Sequence, residues 1–301
     1  MKRVLLCSMI LAVHAGVSYA QAGPLFVASA FSDWKTGPDG VARMNLVGDS
    51  TSPTGLSAFR LRYPAGVGSD SSKAVVHFHM GTEQILVLKG TYVVGFGDSV
   101  DYAAARAYTA EGFVVIPSGR PHYHWTRGET EIHVEALGPS TTRPWPRIQR
   151  PIGAPPLQPP PVDSTYVWPN GLPEWTIGGG GGARMNLAGN RPPSTTELIA
   201  YRSHRPARVN ADTTIRVIYH YHFGTEHITI LKGTFYFGIG DKVDRSQARA
   251  YGPGSFIENP SGTKHFEWFT AGETVYQVNG IGNLGAIPLD PETGQPPVAR
   301  P

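Results

Sequence analysis

The sequence repeats itself once, and the repeat constrains the fold more than any other feature. Residues 81–101 and 224–244 are identical at 13 of 21 positions, at an offset of 143. The shorter stretch 42–46 recurs as 183–187 at an offset of 141. Solenoid repeats span about 20–50 residues, whereas this offset has the length of a small domain. The sequence therefore predicts two domains with the same fold.

A proline-rich segment lies between the two copies. Residues 139–161 contain nine prolines, a composition typical of an extended and fairly stiff linker. We therefore predict a first domain over residues 21–138, a linker over 139–165 and a second domain over 166–301.

Each copy consists of short β-rich runs separated by turn residues. Glycine and proline, 36 and 27 residues of the 301, favour turns over long helices. In the first copy the runs are 74–79, 84–88, 91–96, 113–116, 122–125 and 131–136. Many short strands with turn signals between them indicate an all-β sandwich or small barrel.

The first 20 residues have the pattern of a secretory signal peptide. Lys2 and Arg3 precede an apolar run over residues 4–13, and Ala20 closes a small-x-small cleavage site. The apolar run is well short of the ~20 residues that a transmembrane helix needs. We therefore expect an exported protein, periplasmic or secreted, with no membrane span in its mature chain. The single cysteine, Cys7, lies within the predicted signal, so the mature chain is expected to lack disulfides.

The charge balance argues against a nucleic-acid partner. The net charge of the full chain is +3, and 16% of its residues are charged. Without Lys2 and Arg3 the chain is almost neutral, whereas nucleic-acid binding normally depends on a basic surface. A hydrophobic share of 40% is enough for a packed core and excludes global disorder.

Two equivalent sets of residues have the chemistry of metal ligands, and all their members are related by the offset of 143. The sets are His77, His79, Glu83 and His122, and His220, His222, Glu226 and His265. On a strand, residues i and i+2 point to the same side, so each His-x-His pair presents two imidazoles together. Three imidazoles and one carboxylate suit a divalent transition ion with positions left for water or substrate. A lone histidine is more often a packing residue, but a set repeated at constant offset favours a metal site.

At these residues the sequence resembles the cupin superfamily. The first cupin motif, His-x-His followed by Glu and Gly, is matched by His77, His79, Glu83 and Gly90 and by His220, His222, Glu226 and Gly233. The second motif, Pro-x-Gly-x-x-His, is matched by Pro117, Gly119 and His122 and by Pro260, Gly262 and His265. The asparagine that usually ends this motif is absent, since Thr126 and Phe269 stand in its place.

The resemblance covers nearly the whole mature chain and implies a bicupin. Its fold would be two tandem jelly-roll β-barrels joined by the proline-rich linker. Each barrel would hold one divalent transition metal through its four matched side chains. Manganese or iron is preferred, and nickel, cobalt, copper and zinc also suit the ligands.

His124 and Glu267 occupy equivalent positions, two residues after the last histidine of each set. By strand parity both side chains face the metal cavity. Each is therefore a candidate general acid or base, or a hydrogen-bonding partner of a metal ligand. Because a histidine titrates near neutral pH at its ordinary pKa, the first barrel is the favoured site of proton transfer.

Arg60 and Arg202 are a weaker pair of candidates. They match between the copies, and an arginine that faces into a barrel can bind a substrate carboxylate. An outward, ion-paired arginine fits the same positions and is the favoured alternative.

Three functions are consistent with these features, and all take a small molecule as substrate or ligand. The first is a metal-dependent oxidoreductase, a dioxygenase that acts on a small organic substrate. The second is a manganese enzyme that resembles oxalate decarboxylase. The third is a non-enzymatic periplasmic module that binds a metal or a small ligand. Exposed strand edges also favour a homodimer.

Overall fold

The computed structural model describes residues 26–27, 33–145, 167–168, 174–178, 182–189, 197–207 and 217–297. The predicted signal peptide, residues 1–20, and residues 146–165 of the predicted linker lie outside these ranges. Within the described ranges, no helix has the length and apolar character needed to cross a bilayer.

Short strands are the main regular secondary structure in the described part of the chain. The first twelve are β1 (Phe26–Val27), β2 (Lys35–Thr36), β3 (Ala42–Val47), β4 (Leu56–Tyr63), β5 (His77–Phe78), β6 (Thr82–Lys89), β7 (Thr91–Phe96), β8 (Arg106–Thr109), β9 (Phe113–Ile116), β10 (His122–Thr126), β11 (Thr130–Leu137) and β12 (Arg143–Pro144). The other twelve are β13 (Val167–Trp168), β14 (Thr176–Ile177), β15 (Ala183–Ala188), β16 (Leu198–Arg205), β17 (Ile218–Tyr221), β18 (Thr225–Lys232), β19 (Phe235–Ile239), β20 (Arg249–Tyr251), β21 (Phe256–Asn259), β22 (His265–Phe269), β23 (Thr274–Ile281) and β24 (Ile287–Pro288). Single 3₁₀ turns lie at Ser71–Lys73 and Arg245–Gln247.

Each copy of the repeat forms one barrel from a seven-stranded and a five-stranded antiparallel sheet. The sheets of the first barrel have the orders β13-β9-β6-β11-β4-β3-β2 and β12-β5-β10-β7-β8. Those of the second have the orders β1-β21-β18-β23-β16-β15-β14 and β20-β19-β22-β17-β24. The predicted fold class, all-β with two tandem jelly-roll barrels, is confirmed.

The two barrels exchange their first strands. Strand β1 pairs with β21 of the second barrel, and β13 pairs with β9 of the first. The short strand β12, which falls within the predicted linker, pairs with β5 at the edge of the first barrel. Each seven-stranded sheet therefore takes one strand from the other half of the sequence.

Apolar side chains fill the inside of each barrel and also the space between the barrels. Inside the first barrel, Phe59, Tyr92 and Val134 belong to one buried cluster. The outer faces of the seven-stranded sheets form two further clusters that join both halves of the chain. These clusters are Phe113 and Val115 with Met185, Leu187, Ala188 and Ala200, and Met44, Leu46 and Ala58 with Phe256. Both faces of each seven-stranded sheet are therefore buried.

A polar network crosses the interface between the barrels in two equivalent versions. In the charged version, Glu135 accepts hydrogen bonds from His133 Nε2 at 2.8 Å and from His227 Nδ1 at 2.7 Å. In the neutral version, Asn279 accepts from Gln277 Nε2 at 3.0 Å and donates to Gln84 Oε1 at 2.6 Å. Glu135 and Asn279 occupy matching positions of β11 and β23. The network around Glu135 therefore contains a carboxyl group where the network around Asn279 contains an amide.

The charged version holds an ionised carboxylate between the barrels. Burial alone would raise the pKa of Glu135, but the charge of His227 and the hydrogen bonds of both histidines outweigh it and lower the pKa to about 2. The same contact raises the pKa of His227. The interface therefore contains a buried carboxylate–histidine contact that depends on both halves of the chain.

We expect Glu135→Ala to lower the free energy of unfolding by about 3–5 kcal/mol, because it leaves two buried histidines without their partner. The matched change Asn279→Ala removes only amide hydrogen bonds and should cost about 1–3 kcal/mol. The contribution of Glu135 is present above its ordinary pKa of about 4.5 and is lost as the pH falls towards 2. Denaturant unfolding at pH 6 and pH 3 measures both effects. Equal losses for the two variants, unchanged between the two pH values, would contradict this account.

Candidate metal centres

Strand pairing brings the first ligand set to one point inside the first barrel. His122 on β10 lies directly opposite His77 on β5, and their ring centroids are 4.2 Å apart. The ring of His79, two residues after His77, lies 5.2 Å from His77 and 5.1 Å from His122. Its Nε2 is 3.6 Å from Oε2 of Glu83, the second residue of β6. All four predicted ligands of this barrel therefore lie together and are buried.

The second set repeats this arrangement. His265 lies opposite His220, with ring centroids 4.2 Å apart and the Nε2 atoms 3.1 Å apart. Oε1 of Glu226 is 3.4 Å from Nε2 of His222 and 3.5 Å from Nε2 of His265. The structure thus brings the four predicted ligands of the second barrel together as well.

Backbone carbonyls fix which ring nitrogen of several histidines carries the proton. A carbonyl oxygen only accepts hydrogen bonds, so the Nδ1–H groups of His77, His122 and His265 are the donors to Val75, Arg120 and Thr263. Their distances are 2.8, 2.9 and 2.9 Å. The Nε2 lone pairs of these histidines are therefore free to face a metal.

The arrangement of these lone pairs fits a divalent ion. Two atoms about 2.1 Å from one ion and at right angles to each other lie about 3 Å apart. The distances of 3.1–3.5 Å among His220, His222, Glu226 and His265 are close to that value. Without a cation, His220 Nε2–H can donate to His265 Nε2 across the same 3.1 Å, which leaves the buried Nδ1 of His220 without a partner. The donor set thus matches the predicted divalent metal in each barrel.

Two hydrogen bonds that orient the carboxylate ligands are not predictable from the motifs. Ser140 Oγ donates to Glu83 Oε1, although residue 140 falls within the predicted linker. In the second barrel Asn259 Nδ2 donates to Glu226 Oε1 at 2.9 Å. The first copy has the apolar Ile116 at the position of Asn259. The sequence signal for Asn259 is a polar residue in a buried strand where the equivalent position of the other copy is apolar.

His124 and Glu267 both line the metal cavities of their barrels. Burial, aided by the neighbouring His77 and His79, lowers the pKa of His124 to about 3. Burial and the nearby Glu226 raise the pKa of Glu267 to about 7. The preference for the first barrel in proton transfer rested on ordinary pKa values, and burial removes that basis.

The tightest group of imidazoles differs between the barrels. In the second barrel it consists of His220, His222 and His265. In the first barrel it consists of His77, His122 and His124, whose nitrogens lie within 4.8 Å of one another. His124 therefore lies in one group with two of the predicted ligands, His77 and His122.

The cavities above the two ligand sets differ about threefold in volume, near 570 Å³ in the first barrel and 180 Å³ in the second. At three positions the second barrel has larger side chains in its interior, and one of them, Tyr276, lines the cavity. Phe237, Phe269 and Tyr276 stand where the first copy has Val94, Thr126 and Ile132. The rings of Phe269 and Tyr276 stack with their centroids 5.7 Å apart. The first barrel therefore has more room for a substrate.

Arg60 and Arg202 line neither metal cavity. Both are buried on the outer faces of the seven-stranded sheets, where they contact the other barrel. Arg60 Nη2 donates to the carbonyl of Gly254, and Arg202 Nη2 donates to the carbonyl of Glu111. The arginines that do line the cavities are Arg43 in the first barrel and Arg184 and Arg205 in the second.

Comparison with known proteins gives similarity in structure but not in sequence. No protein-family model and no curated protein matches the chain. Bacillus subtilis oxalate decarboxylase at pH 4.6 matches with a TM-score of 0.54 and 14% identity, over 88% of this chain and 78% of that one. The formate complex of Lactobacillus farciminis oxalate decarboxylase matches with a TM-score of 0.53 and 12% identity, over 87% of both chains. A cupin 2 conserved barrel domain protein from Leptotrichia buccalis matches with a TM-score of 0.50 and 10% identity, over 80% of this chain and 88% of that one.

The two oxalate decarboxylases match over both barrels of the chain, and each barrel carries the ligand set of the cupin motifs. The chain folds as a bicupin. Identities of 10–14% establish this fold alone. The chemistry of the bicupin must be argued from its own cavities.

We expect the purified bicupin to bind about two equivalents of divalent metal per chain, because both ligand sets are complete and converge. His77→Ala and His220→Ala should each reduce the content to about one equivalent. Elemental analysis after expression in metal-supplemented medium measures this. A content near zero in the unsubstituted protein would contradict the assignment of both sites.

Proposed function

We propose that the protein is a metal-dependent oxidoreductase, a dioxygenase that acts on a small organic substrate in the first barrel. The observation that carries this proposal is the 570 Å³ cavity directly above the first ligand set. Ligand pockets are commonly about 300–1,000 Å³, so this cavity has room for a substrate beside the metal. The second cavity, near 180 Å³, is below that range.

The wall of the first cavity favours a substrate with an aromatic ring and an acidic group. Phe59, Tyr63 and Tyr92 line it, and such side chains pack well against a planar ring. Lys35 and Arg43 also line it and supply positive charge. The guanidinium carbon of Arg43 lies 3.5 Å from the centre of the Phe59 ring, so the cation and the aromatic wall are adjacent. Phenols and aromatic acids combine these two features.

The residues around the first site would bind the substrate and the ion and exclude water. His77 and His122 are held in one tautomer by backbone carbonyls, and Ser140 orients Glu83. A bound divalent transition ion would supply Lewis acidity and a place where substrate and O₂ react side by side. The apolar side chains of Leu61, Ile85 and Val134 complete the wall. In the proposed reaction both atoms of O₂ enter the product.

An oxalate-decarboxylase-like reaction in the second barrel is the second candidate, and it has one observation of its own in its favour. The buried carboxyl group of Glu267 shares the small cavity with Arg184 and Arg205. Two guanidiniums suit a compact carboxylate, and Glu267 is placed to exchange a proton with it. Solved oxalate decarboxylases share the fold.

The two candidates are distinguished by the matched substitutions His77→Ala and His220→Ala, assayed for O₂ uptake and CO₂ release on a panel of phenols and acids. We expect His77→Ala to abolish O₂ uptake, whereas His220→Ala keeps most of it. The reverse pattern, with CO₂ release and no O₂ uptake, would replace the dioxygenase by the decarboxylase. Absence of turnover by the unsubstituted protein on every member of the panel would instead favour the non-enzymatic binding module.

We also propose that the protein is exported and begins at Gln21 in its mature form. The basic pair, the apolar run and the cleavage site at Ala20 support this. Expression of the full chain in a Gram-negative host, fractionation and N-terminal sequencing test the proposal. A protein that stays in the cytoplasm with residues 1–20 attached would contradict it.

A further inference from the structure

His124 is a half-buried histidine whose buried Nδ1 lacks the contacts that usually explain one. Its Nδ1 has no hydrogen-bond partner, and the rings within 6.4 Å are His77, Tyr63 and Tyr92. A buried ring nitrogen without a partner costs free energy, so its retention calls for a ligand.

Hydrogen bonding to a metal ligand does not explain its position. The Nδ1 atoms of His77 and His122 are already bonded to the carbonyls of Val75 and Arg120. Only the metal-facing sides of these rings therefore remain for His124. One nitrogen each of His77, His122 and His124 lies within 4.8 Å of the other two. Ligand atoms on opposite sides of an ion are about 4.2 Å apart, so the 4.8 Å limit leaves the three nitrogens near enough for side-chain rotation to bring them onto one ion.

We propose that His124 is itself a ligand of the metal in the first barrel. The first barrel then offers four imidazoles and one carboxylate, from His77, His79, His122, His124 and Glu83. The second barrel offers three imidazoles and one carboxylate, with Glu267 at the position of His124. Five donors leave one position of a six-coordinate ion, so in the proposed function the substrate would bind the ion and O₂ would bind beside it in the cavity.

The proposal makes the two barrels different in their choice of metal. Imidazole ligands suit copper, nickel and zinc, whereas carboxylate ligands suit manganese. The nitrogen-rich first barrel should therefore favour copper over manganese more strongly than the second barrel does. This inference rests on metal binding by the first barrel, as in the proposed function, but not on any particular reaction.

The experiment uses the full-length mature chain with the second site disabled by His220→Ala and His265→Ala. Cu(II) is titrated into the metal-free protein, and pulsed electron paramagnetic resonance counts the coordinated imidazoles. We expect four in this background and three after His124→Phe, with Cu(II) affinity at least 100-fold weaker and Mn(II) affinity changed less than tenfold. Thermal unfolding of the metal-free variants confirms that His124→Phe keeps the fold.

A matched gain of ligand tests the same position in the other barrel. With the first site disabled by His77→Ala and His122→Ala, Glu267→His should add one coordinated imidazole and raise the preference for Cu(II) over Mn(II). The role of His124 would be overturned by a count of three imidazoles in the parent whose second site is disabled, together with Cu(II) and Mn(II) affinities that change less than threefold in His124→Phe. The imidazole count is measured on the parent protein, so it does not depend on whether His124→Phe folds. No Cu(II) binding in the parent would instead overturn metal binding by the first barrel.

Discussion

The seven-stranded sheets are buried on both faces, and the rest of the structure depends on this double burial. In β6 the five consecutive residues 83–87 are all buried, and the same holds for the five residues 226–230 of β18. One face closes each barrel, and the other packs against the equivalent sheet of the second copy. A barrel on its own would expose Phe113 or Phe256 to water at a cost of about 1.5–3 kcal/mol each. The exchange of β1 and β13 ties the copies further, so the repeat folds as one unit.

The interface also fixes the register of the metal ligands. Gln84 and His227 point towards the other barrel and make buried hydrogen bonds there. Because side chains alternate along a strand, the preceding residues Glu83 and Glu226 must then point into the barrels. A slip of one residue would place a carboxylate ligand in the interface and an interface residue at the metal. The network between the barrels and the metal sites inside them are thus two sides of the same strands.

The sequence was sufficient to predict the fold class and the convergence of the ligands, because both follow from local patterns. His77 and His79 share a face by strand parity, and the constant offset identifies the second set. What packs against the outer face of a sheet depends on tertiary structure and cannot be read from a local sequence pattern. For this reason the surroundings of Arg60 and Arg202 and the exchange of β1 and β13 were not foreseen. The contact of Ser140 with Glu83 was not predicted, because the proline-rich composition of this segment indicated a linker, whereas the chain pairs again with the first barrel there.

The differences between the barrels lie where the shared fold leaves the sequence free. The strands, the interface and the ligands set the backbone, and both copies satisfy them. The carboxylate ligand needs one hydrogen-bond donor, which comes from a loop at Ser140 or from a strand at Asn259. The remaining inward positions have to fill space and vary between the copies, as where Ile132 lines the first cavity and Tyr276 the second. Two cavities of different volume thus arise from one backbone, and the larger one has more room for a substrate beside its metal.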